Sequence, residues 1–253
     1  MNKFFRVTLL LLLTSTILTG CVKSIIQDEE GQLDNRNIEI RVVYYWENYF
    51  LRRDSIYQKD GARFKIDNIE MILSNFYYNN EGDTVTDWTQ QSYVKMGTLD
   101  HKLGSIMEPS ISGSIGWLIG LDSLMNATEP GDHDQGDVLS NSNLYSGSKI
   151  GYNFFTLTGR VFDPDKPDET EPSIPMKWVV ATNALVSTID SKRSFSIPVG
   201  KQVIIDASVF VDKLFDDMQP VQTPIIKSDP DDADDYAEAM QLHDNLQKAF
   251  FIP

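Results

Sequence analysis

Residues 152–161 read Tyr152-Asn153-Phe154-Phe155-Thr156-Leu157-Thr158-Gly159-Arg160-Val161, and apolar and polar side chains alternate along them. A period of two residues is typical of a β-strand with one buried face. Runs of β-branched and aromatic residues recur at 38–46, 64–78, 114–121, 178–181, 194–197 and 202–210, and we interpret 64–78 as two strands. Eight or more short strands predict an all-β protein, an antiparallel β-sandwich that a jelly-roll-like strand order would also fit.

The C-terminal end of the chain follows a different pattern. Asp229-Pro230-Asp231-Asp232 is a helix-start signal, because carboxylates accept hydrogen bonds from the free N–H groups of a first helical turn. Apolar residues then recur at helical spacings as far as residue 251. The sequence therefore predicts a short C-terminal helical segment packed on the sandwich.

The N-terminus carries an export signal. Lys3 and Arg6 precede an apolar run at 7–13, and small residues lead to Leu18-Thr19-Gly20-Cys21. This order is typical of a secretory signal peptide. The last four residues resemble the lipobox of bacterial lipoproteins, in which the cysteine is lipidated. An ordinary signal peptide with an incidental cysteine is the alternative.

Lipidation of Cys21 implies a domain organisation and a location. We expect residues 1–20 to be a lipoprotein signal peptide, 21–36 a lipidated tether and 37–253 one folded domain. The protein would then lie in the cell envelope, anchored in the outer membrane on its periplasmic side or at the cell surface. Cys21 is the single cysteine, so packing and not disulfides must stabilise the folded domain.

The charge balance excludes one class of partner. The chain has 37 acidic and 22 basic residues and a net charge of −15. Nucleic acids are bound by Lys and Arg side chains that neutralise phosphates, so we expect no nucleic-acid partner. The same balance argues against contact between the folded domain and an anionic membrane surface, which leaves the lipid as the membrane anchor.

Motifs for catalysis and metal binding are weak. The run Asp132-His133-Asp134-Gln135-Gly136-Asp137 is a solvated loop or, as the alternative, a calcium loop without EF-hand spacing. The histidines, His101, His133 and His243, are 32 and 110 residues apart and form no local metal motif. No Gly-x-Ser-x-Gly, cysteine-nucleophile or His-Glu-x-x-His motif is present. We predict a protein that is not an enzyme, with a paired-carboxylate hydrolase left open.

Four blocks, in order along the chain, resemble the MbnP-like family of exported bacterial proteins. They lie at residues 61–76, 119–126, 151–159 and 244–250. The resemblance covers the chain from about residue 38 to the C-terminus. It implies a β-sandwich, an exported location, copper bound through histidines and an oxidised tryptophan, and a di-haem peroxidase-like partner.

The family's copper ligands do not carry over residue by residue. Residues 143–150, where the family has tryptophan, contain none, and residues 178–184 contain no histidine. His133 is the predicted metal ligand, because it lies in the loop between the second and third blocks. Asp122 and Asn126 are predicted to fix that loop through hydrogen bonds to backbone groups.

The sequence thus predicts a lipid-anchored, exported binding protein of the MbnP-like type, with copper as the metal that the resemblance implies. The rival prediction is a surface glycan-binding or adhesion module. It would use exposed aromatic rings as stacking platforms, and the candidates are Trp88, Tyr93, Trp117 and Tyr145.

Overall fold

The computed structural model describes residues 36–80, 83–88, 91–98, 100–106, 111–191, 195–197 and 203–252. Cys21, the predicted signal peptide and all of the predicted tether but its last residue lie outside these ranges. Within them, no helix is long and apolar enough to cross a membrane.

The first of two sheets is built around one N-terminal strand. Strand β1 (Arg36–Trp46) pairs on one side with β2 (Tyr49–Phe50) and β7 (Asp100–Ile106), both antiparallel. On its other side it pairs in parallel with β13 (Val203–Phe210), which pairs with β15 (Phe250–Phe251). Alternate residues of β1 enter the core, since Ile40, Val42, Tyr44 and Trp46 are all buried.

The second sheet is built around β4 (Ala62–Asn80), which lies between β8 (Ile111–Ile119) and β9 (Asn153–Val161). The other strands of this sheet extend it from these three. They are β3 (Tyr57–Lys59), β5 (Asp83–Trp88) and β6 (Ser92–Lys95) on β4, β11 (Ser187–Asp190) and β12 (Phe195–Ile197) on β8, β10 (Ile174–Ala181) on β9, and β14 (Ile225–Ile226) on β10.

Two α-helices complete the described fold. Helix α1 (Ser123–Asn126) follows β8, and helix α2 (Ala233–Ala249) packs its buried residues against the sandwich. Single 3-10 turns lie at Pro130–Asp132, Val138–Ser140, Ser142–Leu144, Asn183–Leu185 and Val211–Phe215. Helix α2 begins as predicted, because the Asp232 carboxylate accepts a hydrogen bond from the Asp235 N–H at 3.2 Å.

The prediction of an all-β sandwich with a C-terminal helical segment is confirmed. Most strand pairs are antiparallel, but β1–β13 and β10–β14 are parallel. Neither pair is joined by a hairpin, so chain connectivity imposes no antiparallel order on them.

The prediction of two strands within 64–78 is wrong, because β4 is continuous from Ala62 to Asn80. Its pairing shifts register between Ile66 and Asn68 and between Ser74 and Tyr77, and Asn75 has a φ of 48°. Local irregularities of this kind bend a strand without ending it.

The second sheet is buried on both faces over part of its area. Phe155 and Leu157 of β9 face the main core, whereas Phe154 packs with Ile72 in a second apolar cluster. The predicted alternation along 152–161 therefore does not hold at its start, where residues 152–157 are all buried. The reason is that a long segment covers this part of the outer face.

Candidate functional site

The segment that covers the second sheet runs from residue 121 to residue 152, between β8 and β9, and we call it the cap segment. Long connections without strands or long helices are uncommon and are often functional. Leu121, Leu139, Leu144 and Tyr152 of the cap segment are buried against the second apolar cluster. This packing holds the cap segment on the sheet and positions its polar residues.

Asp122 and Asn126, the two predicted loop-fixing residues, both bond to the backbone. The Asp122 carboxylate caps α1 by accepting hydrogen bonds from the N–H groups of Leu124 and Met125, at 2.9 and 3.0 Å. The buried Asn126 side chain accepts a hydrogen bond from the Tyr152 N–H at 2.8 Å. Its amide group also donates to Asn183 Oδ1 at 2.9 Å, so Asn126 joins both ends of the cap segment to the loop after β10.

Gly151 is required for this arrangement. Its φ is +82°, a left-handed conformation that side chains disfavour, and a Cβ at this position would overlap the Asn126 side chain. The approach of Asn126 to the backbone at residues 151–152 therefore depends on glycine.

His133, the predicted metal ligand, is a half-buried residue of the cap segment. Its Nε2 is 2.7 Å from the Thr128 hydroxyl, which also donates to the Met125 carbonyl at 2.7 Å. A hydroxyl has one proton to donate. With that proton on the Met125 carbonyl, a neutral His133 ring would donate from Nε2 to the Thr128 oxygen.

Two of the acidic residues around His133, Asp132 and Asp137, are engaged with the backbone. Asp132 accepts a hydrogen bond from the Glu129 N–H at 2.8 Å, and Asp137 accepts one from the Leu139 N–H at 2.8 Å. These contacts are loop caps of the kind that Asp forms in turns. Within the described residues, no group of three His, Cys, Asp or Glu side chains is placed to hold a metal ion.

Tyr152 lies beside His133, and Tyr145 packs on Tyr152. The Tyr145 ring is 5.1 Å from the Tyr152 ring, and the His133 ring is 6.4 Å from Tyr152. Partial burial raises the pKa of the Tyr145 hydroxyl, and the carboxylates of Glu129 and Asp132 raise it further. Tyr145 therefore stays protonated and neutral in an acidic part of the surface.

The other two histidines do not add to this site in the part of the chain that the structure describes. The His101 side chain lies outside it, although its backbone pairs with Ile40. His243 lies on α2, with Nε2 at 3.1 Å from Gln247 Nε2 and 3.4 Å from the Val186 carbonyl.

The aromatic residues of the rival prediction have different environments. Trp117 is fully buried, with its ring 6.2 Å from Phe76, so its assignment as an exposed stacking platform is wrong. Tyr93 is half-buried and forms a hydrogen bond with Glu70. Burial is the larger cause of the raised pKa of its hydroxyl group, and the bond to Glu70 is the smaller one. The Trp88 side chain lies outside the described residues. Tyr145 is half-exposed, at the edge of the cap segment.

A surface that sequence reasoning missed lies at the hairpin between β1 and β2. Tyr49 is 75 % exposed and Phe50 is 68 % exposed, and both border an open groove of about 710 Å³. The available signal was the pair Tyr49-Phe50 directly after the polar turn Glu47-Asn48, because aromatic residues beside a tight turn stand at a strand end.

Comparison with known proteins gives one structural likeness. No protein-family model and no curated protein matches the chain. Among solved structures, MbnP from Methylosinus trichosporium is similar, with 12 % identity and a TM-score of 0.42, over 72 % of this chain and 78 % of that chain. Neither value carries ligands or residue roles over to this chain.

Proposed function

We propose that the chain is an exported binding protein of the MbnP-like type, held at the outer membrane of the cell envelope by acyl chains on Cys21. One observation carries the proposal. The single cysteine of the chain closes a segment with a basic start, an apolar centre and small residues before the cysteine. Stable anchoring takes more than one acyl chain, so we expect Cys21 to be multiply acylated, with palmitate among the chains.

The test of this proposal is metabolic labelling with an alkyne analogue of palmitate, followed by fractionation and mass spectrometry of the mature N-terminus. The unaltered chain is expected to incorporate label, to begin at Cys21 and to fractionate with membranes. Cys21→Ser is expected to lose the label and to keep residues 1–20. Ser24→Ala, three residues further on, is the matched control and is expected to behave like the unaltered chain.

Recovery of unlabelled protein that begins elsewhere than at residue 21 contradicts the proposal. So does label that persists in Cys21→Ser. Either result favours an ordinary signal peptide in which the cysteine is incidental.

The folded domain is proposed to act by binding and not by catalysis. Support comes from the cap segment, where the carboxylates of Asp122, Asp132 and Asp137 accept backbone hydrogen bonds. A carboxylate committed to a loop cap holds structure in place and is poorly placed for proton transfer to a ligand. A di-haem peroxidase-like protein remains the partner that the sequence resemblance predicts.

The copper prediction is tested by metal analysis of the mature chain, extracted in detergent and loaded with copper under reducing conditions. If His133 binds copper, His133→Ala is expected to lower the copper content. His243→Ala replaces a histidine on α2 as the control and is expected to leave the copper content unchanged. Equal copper content in the two variants contradicts the assignment of His133.

A second candidate function is glycan binding, and one observation favours it. Tyr49 and Phe50 are exposed beside an open groove, although large aromatic side chains are normally placed where they can be buried. Aromatic rings that remain exposed beside polar side chains are suited to recognition of amphipathic ligands such as sugars.

A further inference from the structure

The groove beside the β1–β2 hairpin, which we call the hairpin groove, has an aromatic wall. Trp46 and Tyr57 form its base, where their rings lie 4.7 Å apart and both residues are buried. Tyr49 pairs with Trp46 across the hairpin and shares its face of the sheet. Since Tyr49 is 75 % exposed, its ring is the open surface of this wall.

The backbone around the hairpin groove is fixed on both sides. The buried Asp212 carboxylate accepts a hydrogen bond from the Glu47 N–H at 3.1 Å, and Glu47 has a φ of 53° in the turn. On the other side, the Tyr57 hydroxyl bonds to both the N–H and the carbonyl of Arg52, at 2.6 and 2.8 Å. The groove is therefore preformed, which lowers the entropy that a ligand has to overcome on binding.

Phe50 is also held in place. It lies on the opposite face of β2 from Tyr49, and its ring stacks on Tyr45 at 5.1 Å. Tyr45 in turn stacks on Phe210 at 5.7 Å. This row of rings stiffens the hairpin that presents Tyr49.

The polar residues of the hairpin groove define the ligand chemistry. Asn48, Ser55 and Gln58 line it with amide and hydroxyl groups, and Arg52 is the one charged residue among the described residues that line it. The structure gives Arg52 no ion pair with any described carboxylate, although the chain has a net charge of −15. A guanidinium that pairs with none of the described carboxylates, next to an exposed ring, matches a ligand that has its own carboxylate.

We propose that the hairpin groove binds an acidic oligosaccharide. A pyranose ring packs on Tyr49, its carboxylate pairs with Arg52, and its hydroxyl groups bond to Asn48 and Gln58. The inference deepens the second candidate function, glycan binding, and does not depend on Cys21 lipidation. It also does not involve the cap segment or His133.

The test is isothermal titration calorimetry on the full mature chain in detergent. The acidic probes are hexagalacturonate and sialyllactose. Their neutral counterparts are the fully methyl-esterified hexagalacturonate and the methyl ester of sialyllactose, which keep the sugar rings and remove the carboxylate charge. We expect binding of at least one acidic probe, with affinity about tenfold weaker for its neutral counterpart, as loss of one charge-assisted hydrogen-bonding pair predicts.

Variants locate the site. Tyr49→Ala and Arg52→Gln are each expected to weaken binding of the acidic probe by about tenfold, and Tyr49→Phe is expected to retain it because the ring remains. Phe251→Ala is the matched control, since Phe251 is 51 % exposed and borders a different groove. Circular dichroism and thermal melting establish that each variant is folded, which is expected because Tyr49 and Arg52 are exposed.

Three results overturn the proposal. Absence of binding to both acidic probes contradicts glycan binding at this groove. The proposal of Cys21 lipidation would still stand, because the palmitate label tests it separately. Equal affinity for acidic probes and their neutral counterparts removes the acidic class. Unchanged affinity in both Tyr49→Ala and Arg52→Gln places any sugar site elsewhere.

Discussion

The cap segment and the hairpin groove use the same kinds of side chain in opposite ways. In the cap segment, the side chains of Asp122, Asn126 and Asp137 bond to the backbone, and the Tyr152 ring is buried. In the hairpin groove, one buried carboxylate holds the turn while the Tyr49 ring stays exposed. The cap segment has more acidic residues and contains His133, yet these three side chains are engaged in hydrogen bonds to the backbone.

This difference separates residues that build a surface from residues that are available to a ligand. A polar side chain that satisfies a backbone N–H cannot be withdrawn without leaving that group unpaired. An aromatic ring that stays exposed on a fixed backbone has no such commitment. A cluster of Asp and His in a sequence is therefore weaker evidence for a binding site than an exposed ring on a preformed turn.

The most severe test of the cap segment's structural role is Asn126→Ala. It removes the acceptor of the Tyr152 N–H and the donor to Asn183, and it leaves a cavity at a buried position. We expect the free energy of unfolding to fall by about 2–4 kcal/mol, as for loss of buried hydrogen bonds. Urea denaturation of the mature chain in detergent measures it.

Asn143→Ala is the control for this prediction, because Asn143 is exposed in the same segment. It is expected to change stability by no more than about 0.5 kcal/mol. A similar loss in both variants would show that the cap segment is sensitive to any substitution. An unchanged stability in Asn126→Ala would break the comparison, since the cap segment would then be dispensable for folding.

The second prediction concerns the support of the hairpin groove. Asp212→Ala removes the acceptor of the Glu47 N–H, and we expect a loss of about 1–2 kcal/mol in the free energy of unfolding. Hydrogen exchange at residues 47–50 is expected to accelerate beyond the change seen in the rest of β1. Asp212→Asn retains an acceptor oxygen and is expected to restore most of the protection.

Equal exchange rates at residues 47–50 in the unaltered chain and in Asp212→Ala would contradict this role of Asp212. The turn would then be held by the strand pairing alone. The Tyr49 ring would in that case owe its position to Trp46, its partner across the hairpin.

Local features of this fold were readable from the sequence. The turn at Lys59-Asp60-Gly61 joins β3 to β4, with positive φ at Asp60 and Gly61, and carboxylates precede α2 as expected. Such features depend on a few neighbouring residues. Strand β1 was also identified, because its alternation records the burial of one face.

The features that were missed depend on distant parts of the chain. Trp117 was wrongly assigned to the surface. The burial of a tryptophan depends on the residues that pack on it, and here Phe76 of a neighbouring strand does so. The parallel pairing of β1 with β13 joins residues 38–45 to residues 203–210. Thr128 beside His133 and Asp212 beneath Glu47 are likewise contacts that spacing along the chain does not encode.

The smallest expected effect lies at the edge of the cap segment, where Lys149 pairs with Asp229 at 2.6 Å and also with Asp231. Hydrogen bonding to Lys149 lowers the pKa of Asp229 below its ordinary value of 3.8. A lowered pKa in the folded state contributes stability above the unfolded pKa, and the contribution is lost as the pH falls through the folded value. Lys149→Met should therefore lower the melting temperature slightly at pH 6, and the difference should shrink as the pH falls below 3.8, the ordinary pKa of the Asp229 carboxyl group.

Melting temperatures of the unaltered chain and Lys149→Met from pH 2.5 to pH 7 check this pH dependence. Lys177→Met is the control, since Lys177 is exposed and forms no ion pair among the described residues. A difference that grows in acid would reverse the expected sign and would mean that Lys149 acts on another group. A difference that stays constant with pH would mean that Lys149 stabilises the cap segment through packing of its aliphatic chain. The ion pairs of Lys149 with Asp229 and Asp231 would then contribute nothing measurable to the stability of the cap segment.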